Sequence, residues 1–355
     1  MKLKFLLLTF TIFITLGTLT AQDIHYTLYN MSPLTLNPAL TGAYEGTARA
    51  GGIYRDQWRG LLGKSLYATP SFYVDAPIIR GFRKKDWVGV GFVTYNDLAG
   101  SARLLNTNQS LSASYHFALN NEGSTMLTLG LQGGSTKRKL LNNDFIFGDS
   151  LQAGLNGQTT ASKDGNISLE TDPKSVLDFG AGLMLRTEMD AVSTLEVGLS
   201  FQHINQPKYG FGIKQGQGGV DTTNAKESDA KRPMRTTLHS KYQRNLTEQF
   251  SIAPTFLFQA AGGATEIVLQ GWGGYQLNED YKLNGGLGYR FGDAAQLLFG
   301  LDFKESFRLA ASYDITLSAL NESSYSGGSF EVAAWYIFKI YKKPNVKPAL
   351  LCPQF

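Results

Sequence analysis

The chain has 355 residues, of which 43% are hydrophobic and only 17% charged, and its formal net charge is +4. That apolar content is too high for disorder, and the charge excess is too small for the basic stripe of a nucleic-acid binder. One cysteine excludes a disulfide scaffold and any cysteine-built metal site.

The first element is an export signal. Lys2 and Lys4 precede an apolar run from Phe5 to Leu19, and Ala21 offers a small residue for cleavage. Residues 1–21 therefore read as a signal peptide, with no cysteine after the apolar run to carry a lipid anchor. Beyond it, no apolar run approaches the ~18 residues that a spanning helix needs.

Residues 22–46 lack strand periodicity. Asn37 before Pro38 marks a turn, because the residue before proline is pushed out of the α region and Asn tolerates turn geometry. Ile24, Tyr26, Tyr29, Leu34, Leu36 and Leu40 make the segment too apolar to hang in water. It is expected to fold into the mouth or lumen of the main body, as a small plug.

From residue 47 onward the chain alternates with period two. At 307–317, Phe307, Leu309, Ala311, Tyr313, Ile315 and Leu317 oppose Arg308, Ala310, Ser312, Asp314 and Thr316. Fourteen such segments are expected, near 47–59, 67–76, 86–96, 107–119, 124–136, 174–187, 192–203, 234–245, 249–260, 264–277, 281–291, 294–304, 306–317 and 329–339. Their polar faces carry Gly, Ser, Asn and Gln rather than the Lys and Glu of a water-facing sandwich, and aromatics gather near segment ends. These are the marks of a membrane β-barrel, and closure is required because an open edge in lipid leaves backbone groups unpaired.

The predicted fold class is thus all-β: a closed antiparallel transmembrane barrel of about 14 strands, spanning 47–340, in a Gram-negative-type outer membrane. Short connections at 120–123, 188–190, 246–248, 278–280 and 305 fall at one end, and the long ones, 137–173 and 204–233, at the other. That order puts the long loops outside, both termini in the periplasm, and 341–355 as a periplasmic tail. On the first strand, Arg49, Arg55, Gln57 and Arg59 share the lumen face, with Tyr54 and Trp58 toward lipid. Arg55 is expected to pair with a lumen carboxylate such as Glu196 or Asp302.

Catalytic patterns do not emerge. His25, His116, His203 and His239 show no metal-ligand spacing, and Gly271–Gly274 and Gly285–Gly288 lie inside strands with no helix after them. The expectation is a protein that is not an enzyme and holds no metal or cofactor. A transporter remains the alternative, since fatty-acid-transporter-like barrels also have fourteen strands and an N-terminal plug.

The chain opens Gln22-Asp23-Ile24-His25-Tyr26-Thr27-Leu28-Tyr29 and continues through Asn37-Pro38-Ala39 and Gly42 to Tyr54-Arg55-Asp56-Gln57-Trp58, and it ends Cys352-Pro353-Gln354-Phe355. It resembles the PorP/SprF family of the Bacteroidota type IX secretion system, whose members carry Q-D-P-H-F-S-Q, N-P-A-x-x-G and Y-R-x-Q-W in that order and often end in C-P-R-F. Leu28 and Gln354 depart from the usual Gln and Arg, as in a divergent paralogue with its own partner. The resemblance implies an outer-membrane component that helps export a secreted protein, such as a large adhesin of gliding motility, or anchors it at the cell surface.

Partner contacts are expected at both ends. The long loops carry Phe145, Ile146 and Phe147 in one and Tyr209 and Phe211 in the other, and apolar groups rimmed by polar ones mark interaction sites. At the inner rim, Arg80, Arg83, Lys84 and Lys85 and the lysine-rich tail with Cys352 suit an acidic periplasmic secretion-system or peptidoglycan-associated protein, or anionic outer-membrane lipid.

Overall fold

In the computed structural model, residues 23–59, 67–80, 85–100, 103–141, 168–169, 175–208, 213–214, 231–317 and 328–340 are described. Fourteen strands form one closed antiparallel barrel. They are β1 (Ala48–Gln57), β2 (Tyr67–Arg80), β3 (Trp87–Ala99), β4 (Leu104–Ala118), β5 (Thr125–Leu140), β7 (Ser175–Asp190) and β8 (Ser193–Gln202), then β10 (Arg235–Asn245), β11 (Phe250–Ala261), β12 (Ala264–Gln276), β13 (Tyr281–Arg290), β14 (Ala294–Phe303), β15 (Phe307–Thr316) and β16 (Gly328–Phe338). Two short strands, β6 (Ser168–Leu169) and β9 (Ile213–Lys214), pair with each other and tie the two long loops together. The barrel closes where β1 pairs with β16, Arg55 opposite Glu331. Strand number and order follow the period-two expectation.

The alternation is realised as an apolar exterior. On β15, Leu309, Tyr313 and Ile315 are exposed while Ala310, Ser312, Asp314 and Thr316 are buried. Leu111, Leu131 and Leu287 are 67–68% exposed, and Phe299 is 60% exposed. A wall of such side chains is stable only against hydrocarbon. Aromatic pairs ring the short-turn end: Tyr115–Phe117, Phe250–Tyr275, Tyr281–Phe303 and Tyr336–Phe338, with ring centroids 4.4–4.9 Å apart. Their amphipathic rings suit a membrane interface. Among the described residues no helix is long and apolar enough to cross a membrane.

Residues 23–46 run inside the barrel as a strap. It comprises a 3-10 turn (Tyr29–Met31), a one-turn helix (Pro33–Leu36) and a second 3-10 turn (Pro38–Leu40). Its apolar residues build the interior core. Ile24, Tyr26, Leu28 and Met31 pack on Ile53, Tyr95, Leu298, Ala310 and Ala333. Tyr29 and Leu36 meet Leu257 and Val268, and Leu34 meets Tyr73 and Val93.

The strap's course corrects one expectation. Asp23 sits at the long-loop end, beside His203 and Arg235, and the chain then descends to Thr47, whose N–H donates to the Phe338 carbonyl at the short-turn end (2.7 Å). The N-terminal segment therefore starts near the outer mouth rather than on the periplasmic side. Trp58 is a second correction. β1 ends at Gln57 and Trp58 adopts φ +55°, which breaks the alternation. Its ring meets Tyr67 edge-on and lines a mouth cavity with Asp23 and His25, rather than facing lipid. The signal segment 1–21, the loop residues Phe145, Ile146, Phe147, Tyr209 and Phe211, Arg83, Lys84 and the tail with Cys352 lie outside the described residues.

Candidate functional site: the lumen and its outer mouth

The Asn-Pro-Ala motif seats the strap against β5, β7 and β8. Asn37 is fully buried. Its Oδ1 accepts from the Ala39 N–H (2.9 Å), capping the second 3-10 turn. Its Nδ2 donates to the Leu183 carbonyl (3.0 Å) and faces His239 Nε2 (3.1 Å). Close approach requires glycine in the wall. A Cβ at Gly182 would collide with Asn37 Oδ1, and one at Gly130 with the Pro38–Ala39 backbone.

Below the motif, Gly42 turns the chain at φ +67°, where a side chain would be strained. Its N–H donates to Asp75 Oδ2 (2.7 Å), and its carbonyl accepts from Trp87 Nε1 (2.9 Å). Asp75 also takes the Arg49 guanidinium at 2.8 and 2.9 Å. The motif glycine is thus the hinge at which the strap leaves the lumen for β1.

In the outer half of the lumen the strap backbone is held by an inward carboxylate. The Thr27 and Leu28 N–H groups both donate to Glu331 (2.7 Å each). Barrel side chains here do the work of secondary structure, since strap backbone groups have no ladder of their own. Arg55 binds the same carboxylate and reaches Asp314 at 3.5 Å. Arg290 meets Asp314 at 3.0 Å, and Thr27 Oγ1 donates to Asp314 (2.7 Å). Arg55 therefore does form a lumen ion pair, but with Glu331 and Asp314 rather than Glu196 or Asp302. The latter two carboxylates are taken by Arg186 and Arg308. The motif residue Gln57, with its carboxamide oxygen oriented by the network, accepts from Arg55 Nη2 (2.7 Å) and Nε (3.0 Å). Tyr54 points outward and hydrogen-bonds Asp56 (3.0 Å).

At the outer mouth a buried ionic cluster gathers the strap and the stems of both long loops. Asp23 pairs with Arg232 (2.6 Å), Arg235 (3.1 Å) and His203 Nε2 (2.8 Å). His203 Nδ1 meets Asp178 (2.7 Å), so both ring nitrogens face carboxylates. Arg232 further bonds Asp178 (3.4 Å), Tyr95 (2.9 Å) and Thr136 (3.1 Å). Thr136 and Asp178 flank the loop between β5 and β7, and His203 and Arg232 flank the loop between β8 and β10. Burial opposes ionisation of Asp23, but Arg232, Arg235 and His203 outweigh it and hold its carboxyl well below the usual carboxylate range. Arg235 also donates to the Ile24 and Thr35 carbonyls (2.9 Å each).

Two cavities of about 260 and 250 Å³ flank the top of the strap. His25 and Gln57 line both. Arg55, Asp97, Asn106 and Arg138 line the first, and Trp58, Glu266, Arg290 and Asp293 the second. Both are lined by charged side chains.

The motif residues Asn37, Pro38, Ala39, Gly42, Arg55 and Gln57 all converge on the strap, as does Trp58. The residues that sequence reasoning missed are Asp23, Asp178, His203, Arg232, Arg235, Asp314 and Glu331. Their signal was present as charges on the inward face or at strand ends, but strand periodicity says nothing about which of them meet.

A closed barrel with an apolar exterior, interfacial aromatics and a lumen-threaded N-terminal segment defines an outer-membrane β-barrel protein. The chain belongs to the PorP/SprF family of type IX secretion system membrane proteins, whose sequence profile matches residues 18–336. Comparison with curated proteins returns no match. Among solved structures it is similar to the toluene transporter TbuX of Ralstonia pickettii, at 12% identity and a TM-score of 0.50, over 91% of this chain and 96% of that one. It is also similar to the monoaromatic hydrocarbon channel CymD, at 13% identity and a TM-score of 0.52, over 92% and 96%. At those identities the likeness is one of fold alone.

Proposed function

We propose that the protein acts without catalysis, helping a type IX secretion system export one secreted partner, such as a large adhesin, and holding that partner at the cell surface. The strap threads the lumen and packs on its wall, which in this reading leaves the outer loops as the working surface. The observation that carries this reading is the ionic cluster: it fixes the stems of both long loops to Asp23, which gives the loops a rigid base on which to present side chains. Loops that long on an otherwise economical barrel are usually functional. A periplasmic secretion component or anionic lipid at the inner rim, near Arg80 and Lys85, is the second contact in this scheme.

The alternative is transport of a hydrophobic small molecule, which the two similar barrels bring to mind. Against it stand the charged side chains that line both mouth cavities. The large apolar hollow, about 580 Å³ and lined by Tyr115, Leu129, Leu131, Leu183, Leu199 and Phe201, includes the exposed, lipid-facing Leu129, Leu131 and Leu183.

The test is to replace Phe145, Phe147, Tyr209 and Phe211 together with Ser. Barrel folding, read from heat-modifiable gel migration, is expected to be unchanged, and the partner, identified by co-purification from native cells, is expected in the medium. A partner that stays attached to a normally folded barrel removes the loops as its docking site.

A further inference from the structure

A third lumen cavity lies on the opposite side of the strap and at the opposite end. It has a volume of about 90 Å³ and no carboxylate in its lining. Its cations are Lys241, Lys282 and Arg308. Lys282 and Arg308 are each the second residue of their strand, which places the cavity at the short-turn, periplasmic end.

The charges here do not balance. Lys241 stands opposite Glu196 in register on β8, and Lys282 opposite Asp302 on β14. Each carboxylate already holds an arginine: Arg186 reaches Glu196 at 3.6 Å, and Arg308 binds Asp302. Neither lysine comes within 4.0 Å of a carboxylate among the described residues. The result is two neighbouring groups, each of two cations around one anion, and a net surplus of two positive charges. Lysines in a structural network would be matched by carboxylates, because a desolvated cation without one is costly.

The rest of the lining is equally specific. Leu28, Met31, Trp272 and Ala310 form an apolar wall, and Asn284 and Gln243 add polar groups. The roof is the strap itself, where Asn30 is exposed while its neighbours from Tyr26 to Met31 are buried.

We propose that this inner vestibule binds a carboxylate carried on an apolar group, as presented by the C-terminal residue of a polypeptide entering from the periplasmic side. The two lysines supply the missing counter-charges, and the wall of Leu28, Met31 and Trp272 takes the apolar side chain. The cations and the apolar wall together suit a carboxylate on an apolar group better than a neutral, hydroxyl-covered sugar. The site is remote from the outer loops, so it stands or falls independently of surface anchoring.

The experiment is calorimetric titration of the full detergent-solubilised protein with the tripeptide acetyl-Gly-Ala-Leu, as the free acid and as the C-terminal amide, and with inorganic phosphate. The acid is expected to bind about tenfold or more tightly than the amide, as a charge-assisted contact requires, and to weaken with added salt. Phosphate is expected to bind more weakly than the acid, lacking the apolar wall. The K241M/K282M variant should lose the acid-over-amide preference, while K241R/K282R should keep it; normal heat-modifiable migration shows that both fold. Equal binding of acid and amide, phosphate as tight as the acid, or undiminished binding by K241M/K282M would each overturn the proposal.

Discussion

At the scale of the residue, Asp23 has the largest expected effect. Removing its carboxylate leaves Arg232 and Arg235 buried with one partner fewer, and breaking a buried pair from one side costs about 3–5 kcal/mol. Asp23→Ala is therefore expected to leave the barrel folded and to speed hydrogen exchange at the strap amides, Thr27 and Leu28 included, by orders of magnitude. The pH dependence comes from the depressed folded-state value of Asp23. Its contribution is fully present above the unfolded value of about 3.9 and is lost as pH falls through the lower folded value. Strap protection factors, with the intrinsic pH dependence of exchange divided out, should be flat with respect to this group between pH 5 and 8 and fall only in strong acid. A loss of protection as pH falls through about 6.5 would instead point to His25, which burial holds neutral in the folded strap and which gains its proton only on opening.

At the scale of the element, the strap and the wall are shaped for each other. Gly182→Val puts branched bulk where Asn37 sits, and with Asn37 displaced the turn loses a cap worth about 1 kcal/mol. Buried polar groups left without partners add about 1–3 kcal/mol. The strand itself keeps every ladder hydrogen bond. The expected outcome is a barrel of normal migration whose segment 24–46 becomes protease-sensitive in detergent; resistance equal to the native protein would show that the motif does not seat the strap. Arg49 and Asp75 bear on the same hinge, since they hold Gly42 where the strap turns into β1.

At the scale of the whole molecule, the fourteen-strand closure leaves an interior wide enough for water. A barrel of ~16 strands makes an open porin. Here the strap runs through that space, anchored toward the outer mouth by Asp23 and Glu331, at mid-height by Asn37 and at the inner end by Gly42. Planar-bilayer recordings should show little conductance from the full chain and substantially more after deletion of 24–44. Large conductance from the intact protein would favour the channel reading over surface anchoring.

The sequence by itself determined the barrel. Period two, strand lengths and the order of short and long connections are local properties, and lipid outside a closed sheet forces each of them. The Asn-Pro-Ala turn was equally legible, because proline and asparagine act on their own backbone. Only the tertiary structure decided what meets inside. Arg55 finds Glu331 rather than Glu196 because β1 closes the barrel against the last strand, a register no single strand encodes. Asp23 lies at the outer mouth because the strap climbs the lumen, and its partners come from positions 178, 203, 232 and 235, far away in the chain. Trp58 faces the mouth because one left-handed backbone angle ended the alternation that would have turned it to lipid. Periodicity gives each side chain a face, and only closure gives that face its neighbours.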